Sequence, residues 1–206
     1  MPRYQWPKLP RSFDKPLVFI LCLLPAAWLV YRAVSNDLGA NPVEELSHRS
    51  GDWTLRFLLI TLAVTPLHRQ FQLPRLVALR RMLGLYAFFY ASLHFLIYLV
   101  LDRSLLMSEI LKDIGKRPYI TVGFTALLLL IPLAATSNRY MIKRLGRNWK
   151  RLHRLVYIIA IGGVVHFLWL VKSDLTQPLI YLIILAILYA LRIPMWRQQR
   201  AASASR

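Results

Sequence analysis

Three things are scarce in this sequence: cysteine, acidic residues and nucleotide-binding motifs. The only cysteine among the 206 residues is Cys22, which lies inside an apolar run. One cysteine excludes a disulfide framework, a cysteine-based zinc site and covalent CxxCH attachment of heme. The chain also has no GxGxxG turn and no Walker loop. It therefore has no nucleotide-binding domain of the common kinds with which to take hydride from a nicotinamide.

The charge balance is strongly basic. Nine Asp and Glu face 27 Lys and Arg, which gives a formal net charge of +18. In a soluble protein this excess would suggest nucleic acid as a partner. However, 57% of the residues are hydrophobic, more than soluble domains usually contain, and most of the charge lies between long apolar runs. The pattern is typical of a membrane protein, and we expect no nucleic-acid partner.

The apolar runs predict an all-α fold of six membrane-spanning helices. Residues 82–101 contain no charged side chain, and neither do residues 118–138. Runs of 18 or more such residues are long enough to span a bilayer. The second predicted span is the weakest, because it is short and contains Arg56. The spans form one domain over residues 17–194 and lie at 17–34, 53–67, 82–101, 118–136, 152–171 and 177–194.

The two ends of the chain are predicted to be cytoplasmic segments, residues 1–16 and 195–206, the latter a polar tail without fixed structure. A cleaved signal peptide is the alternative for the N-terminus. The first apolar run is long, contains Pro25 and Trp28 and lacks a small-x-small exit, which favours an uncleaved span. Counted over the predicted connections and ends, 18 Lys and Arg lie on the side of the termini and six on the other. The positive-inside rule then makes both termini cytoplasmic.

Two of the five histidines stand within apolar spans. His94 lies about 12 residues, or roughly 18 Å, into span three, and His166 about 14 residues, or roughly 21 Å, into span five. Both spans start on the cytoplasmic side, so the imidazoles reach a similar level. Ionisable residues at that depth indicate function, and two facing neutral imidazoles can ligate one heme iron. The alternative is a neutral histidine hydrogen-bonded to a neighbouring helix. His48, in a predicted outer loop, and His68 are interpreted as surface residues.

A second level lies nearer the cytoplasmic side. Arg80 precedes His94 by 14 residues and returns to within roughly 40° of its helix face, whereas His153 precedes His166 by 13 residues and lies roughly 140° away on an ideal helix. Spacing alone therefore supports an inner site on span three better than on span five. The alternatives are a topology anchor for Arg80 and an interfacial basic residue for His153.

Three segments resemble a known family. They are NDLGANPVEELSHRSGDWTLRFLLITLAVTPL, RRMLGLYAFFYASLHFLIY and RLGRNWKRLHRLVYIIAIGGVVHFLWLVK. Together they are similar to MsrQ, also called YedZ, the heme-binding membrane subunit of a bacterial periplasmic methionine sulfoxide reductase system. The WxxLHxLxY stretch from Trp149 to Tyr157 also occurs in the wider ferric-reductase-like membrane domain. The resemblance covers residues 15 to 195.

The resemblance implies a six-helix b-type cytochrome of the bacterial inner membrane with one or two hemes. Electrons would pass from the quinol pool to MsrP, a periplasmic molybdenum-cofactor enzyme that reduces methionine sulfoxide in oxidised proteins. The chain would be the electron-transfer subunit of this oxidoreductase. FMN and a cytoplasmic flavin reductase are also associated with the family. His94, His153 and His166 match the family's histidines as ligands of heme iron.

Arg80 departs from the oxidase relatives, which have a histidine at that position. Arginine offers iron no ready lone pair, and its guanidinium suits a carboxylate such as a heme propionate. The inner level is then either a heme held by His153 with Arg80 nearby or a quinol pocket without heme. Two other functions remain open for the chain: a stand-alone ferric or quinone reductase, and a non-redox membrane module with structural histidines.

Overall fold

The computed structural model describes residues 14–193, which are helical and contain no strand. The segment before Asp14 and the predicted tail at 195–206 lie outside the described residues. A π-helical turn, Tyr98–Asp102, extends the third helix. The long helices are α1 (Asp14–Val34), α2 (Pro42–Phe71), α3 (Pro74–Ile97), α5 (Pro118–Ala135), α8 (Leu155–Leu170) and α9 (Thr176–Ala190), and the short ones are α4 (Met107–Lys116), α6 (Arg139–Leu145) and α7 (Arg147–Leu152).

Four described segments are long and apolar enough to cross a membrane. They are Lys15–Val34, Pro74–Asp102, Pro118–Ala135 and Arg147–Leu170. Helix α9 is apolar but shorter. Large apolar side chains such as Phe19, Leu24 and Ile183 are at least half exposed on the bundle surface, as expected where lipid rather than water covers the helices. The chain is a helical membrane protein.

Helix α2 is much longer than the predicted second span, and His48 lies on this helix rather than in a loop. The prediction of an outer loop at His48 was therefore wrong. The helix begins early because its first turn is well capped. The Asn41 side chain accepts a hydrogen bond from the Glu44 amide, Pro42 fills the first helical position, and Glu44 and Glu45 lie near the positive end of the helix dipole.

Arg56, which weakened the sequence-based prediction of span two, is satisfied by neighbouring side chains. Its Nε donates to the Tyr181 hydroxyl of α9 at 3.0 Å, and Nη2 lies 3.6 Å from Asp52 one turn earlier. The guanidinium also lies 4.8 Å from the centre of the Trp53 ring. These contacts tie α2 to α9 and lower the cost of placing a cation near the membrane.

Successive long helices run in opposite directions. Tyr86 and Tyr90 of α3 donate to Phe19 O and Cys22 O of α1, so these two helices are parallel, and Arg80 of α3 meets Thr65 of α2. The bundle therefore has two ends. The α4 end carries the connection from α3 to α5, and the α6 end carries α6, α7 and the start of α3.

Prolines inside the helices leave backbone groups that side chains of other helices satisfy. Pro66 has no amide hydrogen for the Leu62 carbonyl one turn earlier, and Nη2 of the buried Arg192 donates to that carbonyl instead. The Tyr90 hydroxyl similarly lies between the Ala26 amide, which donates to it at 3.0 Å, and the Cys22 carbonyl at 2.8 Å, beside Pro25. At both prolines, a side chain from elsewhere in the bundle thus occupies backbone groups that the helix leaves free.

The fifth predicted span is interrupted near its start. Helix α7 ends at Leu152, α8 begins at Leu155, and His153 lies at the junction. The ideal-helix angle between His153 and His166 therefore does not apply to this chain, because the helical phase is not continuous between them.

Candidate functional site

A cavity of about 440 Å³ opens between α2, α3, α5 and α8 toward the α4 end of the bundle. Its deeper wall is apolar and includes Leu58, Leu127, Leu130 and Ile159. Its rim toward the α4 end is polar and charged. A cavity of this size, apolar with a few convergent polar groups, has the features of a small-molecule or cofactor site.

His94 reaches the cavity from α3, and α2 holds its ring. Nδ1 lies 2.9 Å from the Ser47 carbonyl oxygen and 3.3 Å from the Ser50 hydroxyl. A carbonyl oxygen only accepts hydrogen bonds, so Nδ1 carries the ring proton and Nε2 keeps its lone pair. Gly51 makes this approach possible, because a Cβ there would lie 3.3 Å from the imidazole.

His166 reaches the same cavity from α8, and α5 holds its ring in the same way. Nδ1 lies 2.7 Å from the Tyr119 carbonyl oxygen, which again assigns the proton to Nδ1 and the lone pair to Nε2. The ring packs directly over Gly123. A Cβ at Gly123 would lie 2.6 Å from Nδ1, closer than real Cβ contacts occur.

The two imidazoles face each other across the cavity. Their ring centres are 6.1 Å apart and their planes are inclined by 81°. A metal–imidazole bond is about 2 Å long, and a ring centre lies roughly 1 Å behind its nitrogen, so two rings on one metal ion have centres about 6 Å apart. The pair therefore has the separation and the Nδ1-protonated tautomers with which two imidazoles could ligate one metal centre.

Beside the cavity, a second groove of about 520 Å³ lies at the surface of the α4 end. His48, Asp52 and Phe167 line both spaces. Acidic side chains here are partly paired: Glu45 accepts hydrogen bonds from Arg49 and Arg32. The Arg49 contact, and to a lesser degree Arg32, lower the pKa of the Glu45 carboxyl. The cavity that holds His94 and His166 thus shares lining residues with an open surface groove.

The other two predicted site residues, His153 and Arg80, lie together at the α6 end, apart from the paired histidines. The His153 ring stacks on Trp149 at 3.9 Å, and Nε2 lies 3.3 Å from the Ser137 hydroxyl. Arg80 donates to the Thr65 hydroxyl at 3.4 Å and is near enough for its charge to act on the His153 imidazole. The structure therefore forms two separate groups from the four predicted residues.

Sequence reasoning missed the groups that orient the histidines. Gly51 and Gly123 were not singled out from the sequence. The one available signal was a glycine within an apolar span at Gly123, but its partner could not be deduced from spacing. Ser47 and Tyr119 contribute backbone carbonyls, which any residue type would supply.

Comparison with known proteins places this geometry in a family context. Residues 50–164 match the family model described as ferric reductase like transmembrane component. The matched range includes His94, His153, Gly51 and Gly123 and ends just before His166. No solved structure matches the chain.

Curated relatives cover nearly the whole chain. Proteins from Herminiimonas arsenicoxydans, Xanthomonas euvesicatoria pv. vesicatoria and Bordetella pertussis are 50%, 51% and 49% identical to it, respectively. The alignments cover 90%, 91% and 92% of this chain and 86%, 88% and 93% of the relatives. Each relative is named protein-methionine-sulfoxide reductase heme-binding subunit MsrQ.

Proposed function

Because this chain belongs to the MsrQ family of protein-methionine-sulfoxide reductase heme-binding subunits, we propose that it is a b-type heme subunit. In this proposal it passes electrons from the quinol pool of the bacterial inner membrane to the periplasmic molybdoenzyme MsrP. MsrP in turn reduces methionine sulfoxide in oxidised periplasmic proteins. The observation that carries the proposal is the facing pair of His94 and His166.

The residues around that pair fit a heme. Both Nε2 atoms keep a lone pair, because both Nδ1 atoms are committed to backbone carbonyls. Gly51 and Gly123 leave the space that each ring occupies. The apolar deeper wall suits a porphyrin face, and the charged rim suits its carboxylates. A heme bound here would supply a one-electron iron couple.

The chain's own residues also provide a short way out toward a soluble partner. The His94 ring is hydrogen-bonded to the backbone of Ser47, and the next residue, His48, lines the surface groove. A partner that contacts His48 in that groove would be separated from the His94 imidazole by one hydrogen bond and one residue of α2. This arrangement supports electron transfer to a docked protein.

At the α6 end, the proposal assigns His153 and Arg80 to the entry of electrons. They act either as the ligand and neighbour of a second heme or as polar groups of a quinol pocket. A cytoplasmic flavin reductase is an additional electron donor in this proposal. FMN is included on the family resemblance alone, and flavin fluorescence of an extract of the purified protein tests it.

The proposed topology has six spans with both termini in the cytoplasm. Support comes from six long helices that alternate in direction and from the 18 cations predicted on one side against six on the other. Fusion of a fluorescent protein that matures only in the cytoplasm to the C-terminus should give fluorescence, and fusion of a periplasm-active phosphatase should give no activity. The reverse pattern would place the C-terminus in the periplasm and contradict the proposed topology.

The functional test is reoxidation of the reduced protein. The protein is reduced with dithionite or a quinol, and the excess reductant is removed. MsrP with a methionine sulfoxide substrate should then reoxidise it. Reoxidation should be more than about tenfold slower when the sulfoxide is omitted. Arg80→Ala should slow reduction by quinol while the dithionite-reduced spectrum is unchanged. Arg139→Ala, on α6 at the same end, is the matched control.

Other results would change the assignment. Rapid reoxidation by ferric chelates together with no reaction with MsrP would support a stand-alone ferric reductase. Absence of a reduced b-type α-band would support a non-redox membrane module. If Arg80→Ala behaves as the wild type in heme content, spectrum and quinol-driven rate, then Arg80 is a topology anchor only.

A further inference from the structure

The arginines of the histidine cavity are gathered at one part of its rim. Glu44 and Asp52 of α2 lie on one side, whereas Arg103 and Arg117 flank α4 on the other, where Asp102 also lines the cavity and pairs with Arg103 at 3.5 Å. The guanidinium groups with which a negatively charged ligand could pair therefore lie near α4.

One buried carboxylate organises the two arginines. Asp113 of α4 is 6% exposed. Its Oδ2 lies 2.7 Å from Arg103 Nε in an ion pair that is not aligned as a hydrogen bond, and its Oδ1 lies 3.1 Å from Arg117 Nε. The Tyr98 hydroxyl also donates to Asp113 Oδ2 at 3.2 Å.

This arrangement fixes the guanidinium groups without using all their donors. Asp113 contacts the Nε atoms, and Arg117 Nη1 also donates to the Tyr119 hydroxyl at 3.3 Å. With Asp102 and Asp113 beside them, Arg103 and Arg117 form a charge-balanced cluster, and their guanidinium forks at the cavity wall suit ligand carboxylates.

We propose that Arg103 and Arg117, positioned by Asp113, bind the two propionate carboxylates of the heme. This inference rests on the proposed function. Iron ligation by His94 and His166 fixes the axis through the porphyrin but leaves rotation about that axis free. The arginine pair fixes the rotation, so that the carboxylate edge lies at α4 and the apolar edge lies against Leu130 and Ile159. The connection between α3 and α5 is then part of the heme site.

The test uses the full-length protein loaded either with heme or with its dimethyl ester, in which both propionates are neutral. Heme release to apomyoglobin is measured for the wild type, Arg103→Gln/Arg117→Gln and the control Lys112→Gln/Lys116→Gln. The control removes the same charge from exposed side chains of α4 that do not line the cavity. Arg103→Lys/Arg117→Lys keeps the positive charges beside Asp113 and tests whether the fold depends on those charges.

We expect the wild type to hold heme at least about tenfold longer than the ester, since charge-assisted hydrogen bonds are lost with the ester. Arg103→Gln/Arg117→Gln should release heme and its ester at the same rate, the rate at which the wild type releases the ester. Lys112→Gln/Lys116→Gln should behave as the wild type. Equal retention of heme and ester by the wild type would overturn the inference, as would an unchanged preference in the arginine variant. If the wild type binds no heme at all, the proposed function itself fails.

Discussion

Replacing His94 or His166 with alanine should abolish the low-spin b-type spectrum of the cavity heme. Each imidazole is held at Nδ1 by a backbone carbonyl, and the two ring centres are 6.1 Å apart. Loss of either ring leaves one axial position open, and the remaining iron should become high-spin or the heme should be lost. Heme content per protein and reduced-minus-oxidised spectra measure the effect. We expect each variant to retain heme more than about tenfold less well than the wild type.

The control for these variants is His68→Ala, which removes a histidine at the far end of α2 from the cavity. It should keep the wild-type spectrum. Unchanged low-spin spectra and heme content in both His94→Ala and His166→Ala would exclude the assignment. His153→Ala in the same series decides the α6 end: loss of one heme equivalent supports a second heme there, and full retention supports a quinol pocket.

Gly123→Ala should damage the site almost as severely, although it adds only a methyl group. The added Cβ would lie 2.6 Å from His166 Nδ1, so the ring must leave the Tyr119 carbonyl that now orients it. Overpacking of this kind costs about 1–3 kcal/mol, and loss of the orienting hydrogen bond weakens metal binding by roughly 10–100-fold. Heme dissociation rate and thermal stability, measured on the same preparation, report the two effects.

Gly84→Ala is the matched control, because it is also a glycine in a spanning helix but its nearest neighbour would be Thr61 Cγ2 at 3.7 Å. It should leave heme retention unchanged. Gly51→Ala should fall between the two, since its Cβ would lie 3.3 Å from the His94 ring. Equal heme retention in Gly123→Ala and Gly84→Ala would show that the His166 ring has another position that the cavity accepts.

The sequence-based description was most accurate where one helix determines the answer. Pro118–Ala135 nearly coincides with the predicted span at 118–136, because a charge-free run of that length has few alternatives in a membrane protein. It was least accurate for α2. There the polar first turns resemble a loop by composition, and only the capping residues Asn41 and Pro42 indicate that the helix already begins.

For the candidate site too, the sequence predicts what depends on one helix and misses what depends on contacts between helices. The similar depth of His94 and His166 follows from the rise per residue along each span. The carbonyls of Ser47 and Tyr119, the glycines beneath the rings and the Arg103–Asp113–Arg117 cluster depend on which helices are neighbours. Only the Asp113–Arg117 pair, four residues apart at the end of α4, has a sequence spacing that indicates a contact.

By itself, the sequence determined that this chain is a helical membrane protein with two histidines at one level within its apolar helices. The physical reason is that a bilayer demands long uncharged runs and makes each ionisable residue within them conspicuous. The tertiary structure alone decided that the two rings face each other across a cavity and that His153 stands at a helix break. Packing between helices decides how each helix is rotated and which helices are neighbours. The face of a helix that contacts lipid and the face that contacts other helices carry similar apolar side chains, so composition does not show which face points inward.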